Sequence, residues 1–315
     1  MTAPVVLAID VGGTSFKAAL IDAGGLRLFT DTSPTLGAMG EAAFTRLDSF
    51  VGGCLAAGSA LGVTPHAIGL IAPGMDESTG HVLFAANLGW RDVPLGPRLV
   101  ERHALPVACG HDVRTAGLAE ARLGAARGFP DSVMVMIGTG IAASVVSHGQ
   151  PVAGARGMAG ELGHAPVFPD GEPCACGQIG CLETYASAAA IARRYRALGG
   201  VGAPVAADIA ARLGADRLAD RVWDDAVQAL SISLTTVTML LDPSVIVIGG
   251  GLAEAGPMLL EPLRMALSRR LVWRPPPPIL RSTLGADGAL LGAAILAFRR
   301  LGLDDIAKSW MLPKS

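Results

Sequence analysis

The sequence predicts two related α/β domains with a cleft between them. Three observations predict it. The chain has 315 residues, a length that fits about two domains. Each half opens with an apolar run, a glycine turn and a second apolar run: Val5 to Ile9, Gly12-Gly13 and Phe16 to Ile21, then Val133 to Ile137, Gly138-Thr139-Gly140 and Ile141 to Val146. Longer stretches of helical apolar spacing follow in both halves, and such alternation is the pattern of an α/β protein.

The elements follow in order. Asp22 to Gly25 is a hairpin signal before the alternating segment Leu26 to Thr30, so the chain opens with antiparallel strands. Ala42 to Leu61 has helical spacing, Ala67 to Ile71 reads as a strand, and Pro73-Gly74 is a turn. Pro106 to Cys109 is a short strand, and Asp112 begins a helix to about Arg127. After the second hairpin, closed by His148-Gly149, residues 154 to 183 form a glycine-rich inserted loop. Helices are expected over Thr184 to Arg196, Leu218 to Leu241 and Pro257 to Leu271, with a strand at Val245 to Ile248. Arg274 to Pro278 is a proline-rich break, Gly288 to Arg300 a buried helix, and the tail after Asp304 is expected to fray. The expected domains are 1–111 and 112–299, the second carrying the loop 160–183, with a terminal helix of about 300–315 packing back on the first.

Composition excludes several classes. Hydrophobic residues are 51% and charged residues 17%, which excludes disorder. Net charge is −2, from 25 basic and 27 acidic residues, so a nucleic-acid partner is not expected. Trp90, Trp223, Trp273 and Trp310 are scattered and build no stacking platform. Cys54 to Met75 and Ser132 to Ala155 lack charges, yet prolines interrupt the first and glycines the second. They read as buried strands joined by turns, so no membrane span is expected. No basic leader precedes the first apolar run, which Asp10 interrupts, so a cytoplasmic protein is expected. The 41 glycines cluster in short loops between apolar runs, as turns built for a ligand do.

Four constellations carry chemistry. In Asp10-Val-Gly12-Gly13-Thr14-Ser-Phe-Lys17, two glycines let backbone N–H groups approach an anion, Thr14 adds a hydroxyl and Lys17 a positive charge. Asp10, at a strand end, can hold Mg²⁺ through water. An ordinary hairpin with a buried Asp has the same pattern. Gly138-Thr139-Gly140 occupies the corresponding place in the second half, and Gly249-Gly250-Gly251 follows a strand; each alone is also compatible with a plain turn. His111-Asp112 is either a helix cap or a general base that accepts the proton of an attacking hydroxyl. Glu161-Leu-Gly-His164, Cys174-Ala-Cys176 and Cys181-Leu-Glu183 bring one imidazole and three thiols into a short segment, the Cys₃His set of a structural Zn²⁺ site. Three reduced thiols in a glycine loop are the competing reading. An odd count of five cysteines without a secretion signal argues against a disulfide framework, and Cys54 and Cys109 read as core residues. Zn²⁺ would clamp the loop and hold Glu161 and Glu183, good acceptors for sugar hydroxyls, near each other.

Gly160-Glu-Leu-Gly-His164 with Cys174-x-Cys-Gly-x-x-Gly-Cys181-x-Glu183 resembles the repressor, open reading frame, kinase (ROK) family of sugar kinases and regulators. The resemblance spans Asp10 to about Gly292. It implies the two-domain actin-like ATPase fold that hexokinase and Hsp70 share. It implies that Asp10, Gly12, Gly13, Thr14 and Lys17, together with Gly138, Thr139, Gly140 and Gly249 to Gly251, bind ATP with Mg²⁺. It makes Asp112 the catalytic base, and Gly74, Asn87, His111, Asp112, Glu161, His164 and Glu183 sugar contacts. It makes His164, Cys174, Cys176 and Cys181 ligands of a structural Zn²⁺, and it implies a homodimer formed through the second domain. The chain departs from the family where His111 replaces the usual Asn before the base, where Arg114 replaces a frequent Asn, and where Ala142, Ala143 and Ser144 replace further glycine. The implied activity is transfer of the γ-phosphoryl group of ATP to O6 of glucose. The larger His111 keeps an amino or N-acetylated hexose (N-acetylglucosamine, N-acetylmannosamine or kanosamine) or fructose open as acceptor. A sugar-binding regulator without its DNA-binding domain is the remaining alternative, since only nine residues precede Asp10.

Overall fold

The computed structural model describes residues 3–202 and 205–310. The first glycine turn joins β1 (Val5–Val11) to β2 (Ser15–Asp22), antiparallel with Asp10 opposite Lys17. β3 (Arg27–Pro34) continues the meander and α1 (Glu41–Ala60) follows. β4 (Ala67–Ala72) then pairs parallel to β1. A three-stranded sheet of β5 (Met75–Asp76), β6 (His81–Ala85) and β7 (Trp90–Val93) interrupts the main sheet before α2 (Leu95–His103). β8 (Val107–His111) pairs parallel to β4 at the sheet edge and runs directly into α3 (Asp112–Leu123). The sheet order is β3-β2-β1-β4-β8.

The second half repeats this construction. β9 (Ser132–Ile137) and β10 (Ile141–Ser147) flank the second glycine turn, and β11 (Gln150–Pro151) extends the edge. After the inserted loop come α4 (Glu183–Ala186), α5 (Ala188–Ala197), α6 (Ala206–Ala210) and α7 (Arg217–Leu241). β12 (Val245–Gly249) pairs parallel to β9, α8 (Pro257–Arg270) follows, and β13 (Ile279–Arg281) completes the order β11-β10-β9-β12-β13. Both sheets therefore set an antiparallel hairpin beside parallel strands, with a glycine turn at the same place. The described residues end with α9 (Asp287–Arg300) and a 3₁₀ turn, Ile306–Ser309.

The halves do not divide at residue 111. One unit is Met1–Leu123, Ala153–Gly157 and Ala286–Ser315; the other is Gly124–Val152 and Met158–Gly285. The reason is packing: α9 lies on β1, β4 and β8 and against α3, so both helices belong with the first sheet. Gly69 of β4 permits this approach, because a Cβ there would run into the Ala293 backbone carbonyl of α9. On the other face of the sheet Leu7, Ile9, Ile68 and Leu70 are fully buried in a core shared with Phe44 and Leu47 of α1, and such side chains contribute about 1.5–3 kcal/mol each.

Other expectations are corrected. The helix expected over Thr184 to Arg196 is broken at Ser187, whose extended backbone turns the chain and whose hydroxyl caps α5 by accepting from the Ala190 N–H at 3.1 Å. The tail is not frayed up to residue 310. Trp310 is buried edge-on against Phe298 and donates its indole N–H to the Ala23 carbonyl at 3.0 Å. The rest of the expected terminal helix, residues 311–315, lies outside the described residues. No described helix is long and apolar enough to cross a membrane.

Candidate active site

In the first unit the site grows from the ends of β1, β4 and β8. The turn after β1 is closed by the Gly12 N–H donating to the Ser15 carbonyl at 3.0 Å. Thr35, buried, braces it from outside: its hydroxyl donates to the Gly13 carbonyl at 3.0 Å, and its N–H donates to the Thr14 carbonyl at 2.9 Å. Asp10 sits near the end of β1, and its carboxyl is pushed up to about 6. Burial is the main cause and the Asp112 charge adds to it, while Lys17 opposes. Asp10, Lys17 and Asp112 thus share one electrostatic neighbourhood.

Asn87 lies in a 3₁₀ turn between β6 and β7, directly against Gly13, where a Cβ would stand 2.7 Å from the Asn87 Cβ. That turn is tied to the start of α1. The Gly40 N–H donates to the Leu88 carbonyl at 2.8 Å, and the Trp90 indole N–H donates to the Gly40 carbonyl at 2.9 Å. Gly74, at φ 62°, turns the chain from β4 into β5, and its carbonyl accepts from the Leu83 N–H at 2.9 Å. Asn87 therefore abuts the first glycine turn.

Asp112 is the first residue of α3, where the helix dipole favours a carboxylate. Its Oδ1 accepts the Val113 N–H at 2.7 Å and lies 3.1 Å from His111 Nδ1. Sequence reasoning missed Glu77, in the turn between β5 and β6. One of its carboxylate oxygens accepts the His111 backbone N–H at 3.2 Å and the buried Arg114 Nε–H at 2.9 Å. No motif marks Glu77, because its role depends on a fold-back of 34 residues.

In the second unit, the turn at Gly138 to Gly140 is held by three hydrogen bonds. The Gly138 N–H donates to the Gly140 carbonyl at 2.9 Å, the Ala188 N–H donates to the Gly138 carbonyl at 2.8 Å, and the Ile141 N–H donates to Glu183 Oε2 at 2.7 Å. Thr139 is exposed. Gly249 ends β12 opposite Met136. Gly250, at φ 81°, passes over the Ile137 carbonyl, and Gly251 opens a 3₁₀ turn, so the third glycine segment lies beside the second. Glu183 thus bonds to the second glycine turn, while Glu161 is exposed just before the 3₁₀ turn Leu162–His164.

The inserted loop gathers His164, Cys174, Cys176 and Cys181, whose ligand atoms lie within 4.8 Å of one another. Cys176 and Cys181 sulfurs are 3.7 Å apart, and Cys174 Sγ is 3.8 Å from His164 Nδ1. Tetrahedral Zn–S and Zn–N bonds require ligand separations of about 3.6–3.8 Å. The donor set and spacing fit zinc. The turn from Cys174 to Gln178 closes through the Cys174 N–H to the Gln178 carbonyl at 2.8 Å, and Gly177 at φ 93° allows it.

The model of the ROK family matches residues 6–300. The chain is 35% identical to a glucokinase of Halalkalibacterium halodurans, over 91% of this chain and 93% of the relative. Among solved structures it resembles a ROK hexokinase from Thermus thermophilus, with a TM-score of 0.83 and 33% identity over 95% of this chain and 99% of that one. It also resembles a ROK family glucokinase from Streptomyces griseus in complex with glucose and AMPPNP, with a TM-score of 0.79 and 30% identity over 94% and 99% of the two chains. With that extent of agreement, and with the actin-like two-domain ATPase fold, the chain belongs to the ROK family.

Proposed function

We propose that this chain is an ATP-dependent hexose kinase that phosphorylates O6 of glucose. The carrying observation is Asp112: a carboxylate at the start of α3, with Oδ1 held by the Val113 N–H and the His111 imidazole beside it, in the same electrostatic neighbourhood as Asp10 and Lys17. Glucokinase relatives over most of the chain support the same reading. Asp112 accepts the proton of the sugar hydroxyl as that oxygen bonds to the γ-phosphorus. The bond from the γ-phosphorus to the bridging oxygen breaks, and ADP leaves.

Gly12, Gly13, Thr14 and Lys17, with Gly138, Thr139, Gly140 and Gly249 to Gly251, are assigned to the nucleotide phosphates and adenosine. Asp10 would hold Mg²⁺, which when bound neutralises charge on the β- and γ-phosphates. Gly74, Asn87, His111, Glu161, His164 and Glu183 are assigned to the sugar. Glu183 keeps one oxygen for that role, since Oε2 is taken by the Ile141 N–H. His164, Cys174, Cys176 and Cys181 would hold structural Zn²⁺, which when bound cross-links the loop. Two copies are proposed to associate through the second unit, supported by the exposed apolar cluster of Leu240, Val272 and Trp273.

The test is phosphorylation of a panel of hexoses and amino sugars, including glucose, N-acetylmannosamine and fructose, with ATP and Mg²⁺. Glucose is expected to have the highest kcat/KM. Asp112→Asn is expected to lower sugar-dependent ADP release by at least about 100-fold while sugar binding persists. Near-normal turnover by that variant would remove the base assignment, and preference for an N-acetylated sugar would replace the acceptor.

A further inference from the structure

Arg114 lies two residues after the proposed base, and its side chain is only 2% exposed. A guanidinium stays charged at every accessible pH, so one buried this deeply needs partners. Its Nε donates to Glu77 Oε1 at 2.9 Å, and a terminal nitrogen donates to the Gly157 carbonyl at 2.7 Å. The same Glu77 oxygen accepts the backbone N–H of His111 at 3.2 Å. β8 is the edge strand, so one row of its peptide groups has no neighbouring strand, and Glu77 takes the last of these N–H groups. The peptide immediately before Asp112 is thus fixed by an ion pair whose acid comes from the turn between β5 and β6.

The restraint continues into Asp112. Its Oδ1 accepts the Val113 N–H at 2.7 Å, and the His111 imidazole lies beside the same oxygen, with Nδ1 3.1 Å away. The Val113 N–H thus holds Oδ1 and leaves Oδ2 to receive a proton.

We propose that Glu77 and Arg114 are positioning residues for phosphoryl transfer: they lock the His111 peptide and, through it, the orientation of the adjoining Asp112. Glu77 ties the His111 peptide and the Arg114 guanidinium together through one oxygen. It rests on the reading of Asp112 as the base. Transfer needs the acceptor oxygen and its base aligned within a fraction of an ångström, and a misplacement of about 1 Å costs on the order of 100-fold in rate.

The experiment compares Glu77→Ala, Glu77→Gln and the double variant Glu77→Ala/Arg114→Met with the intact chain, measuring kcat, sugar KM, melting temperature and the ratio of phosphate released to sugar phosphorylated. Glu77→Ala is expected to lower kcat by about 10–100-fold, to change sugar KM by less than about 3-fold, and to raise the share of futile hydrolysis. Glu77→Gln keeps a carbonyl acceptor for the His111 N–H and is expected to recover most of kcat. The double variant removes the unpaired buried charge, so melting temperature should recover while kcat stays low. A double variant with full kcat would show that the orphaned charge alone caused the loss, and would overturn positioning. So would a Glu77→Ala effect confined to KM. Asp112→Asn separates the two claims: if it remains active the base reading fails, whereas if it is inactive and Glu77→Ala is unimpaired only the positioning fails.

Discussion

Asp10 is the residue at which the proposed function opposes stability. Burial and the neighbouring Asp112 charge raise its carboxyl from 3.8 to about 6. From pH 3.8 to about 6 the folded chain therefore retains a proton that the unfolded chain has released. Stability falls as pH rises through that window, and above it the ionised group costs at most about 3 kcal/mol. Asp10→Asn is expected to abolish phosphoryl transfer yet raise the melting temperature at pH 7.5 by at least about 2 °C, with the gain shrinking toward zero near pH 4. Differential scanning calorimetry across pH checks this, and an equal gain at both pH values would place its cause elsewhere than the Asp10 charge. Asp10 and Asp112 were legible in the sequence because each ends an apolar strand beside a glycine turn or a helix start. Glu77 and Thr35 were not. Their partners are distant in the chain, and nothing local marks a residue as the brace of another segment's backbone.

At the scale of elements, the inserted loop is the clearest case of a structure its own sequence cannot hold. It contains few apolar anchors and several glycines, and the proposed Zn²⁺ supplies the missing cross-link. One zinc per chain is expected by elemental analysis, and a strong chelator is expected to lower the melting temperature while three thiols become titratable. Purified protein with no stoichiometric metal and freely titratable thiols would remove the metal. Effects on nucleotide binding should follow metal loss, because Glu183 lies two residues after Cys181 and accepts the Ile141 N–H at the second glycine turn, which is proposed to hold phosphate. The four candidate ligands were legible because they crowd a short segment. α2, α6 and the β5-β6-β7 sheet were not. β5 has only two residues, α6 only five, and α2 carries Gly96 and Pro97, so none shows a sustained period.

At the scale of the whole molecule, the second unit presents Leu240, Val272 and Trp273, exposed by 76%, 85% and 69%, which marks a surface suited to burial. The last turn of α7 and the segment after α8 are joined there by the Arg274–Asp242 ion pair at 2.5 Å. Light scattering is expected to find a dimer, and Leu240→Asp or Trp273→Asp to yield folded monomers. A monomeric parent chain would refute the proposed association.

The sequence by itself determined the duplicated α/β construction, the three glycine segments, the base candidate and the candidate metal ligands. Those features are written in periodicity and short spacings, which the backbone converts directly into strands, turns and neighbouring side chains. Only the tertiary structure decided that α3 and α9 complete the first unit, that Trp310 is buried against it, and that Glu77 and Arg114 grip the peptide before Asp112. Each of those depends on a contact between segments far apart in the chain, and burial and charge pairing across such distances are settled by packing, not by local pattern.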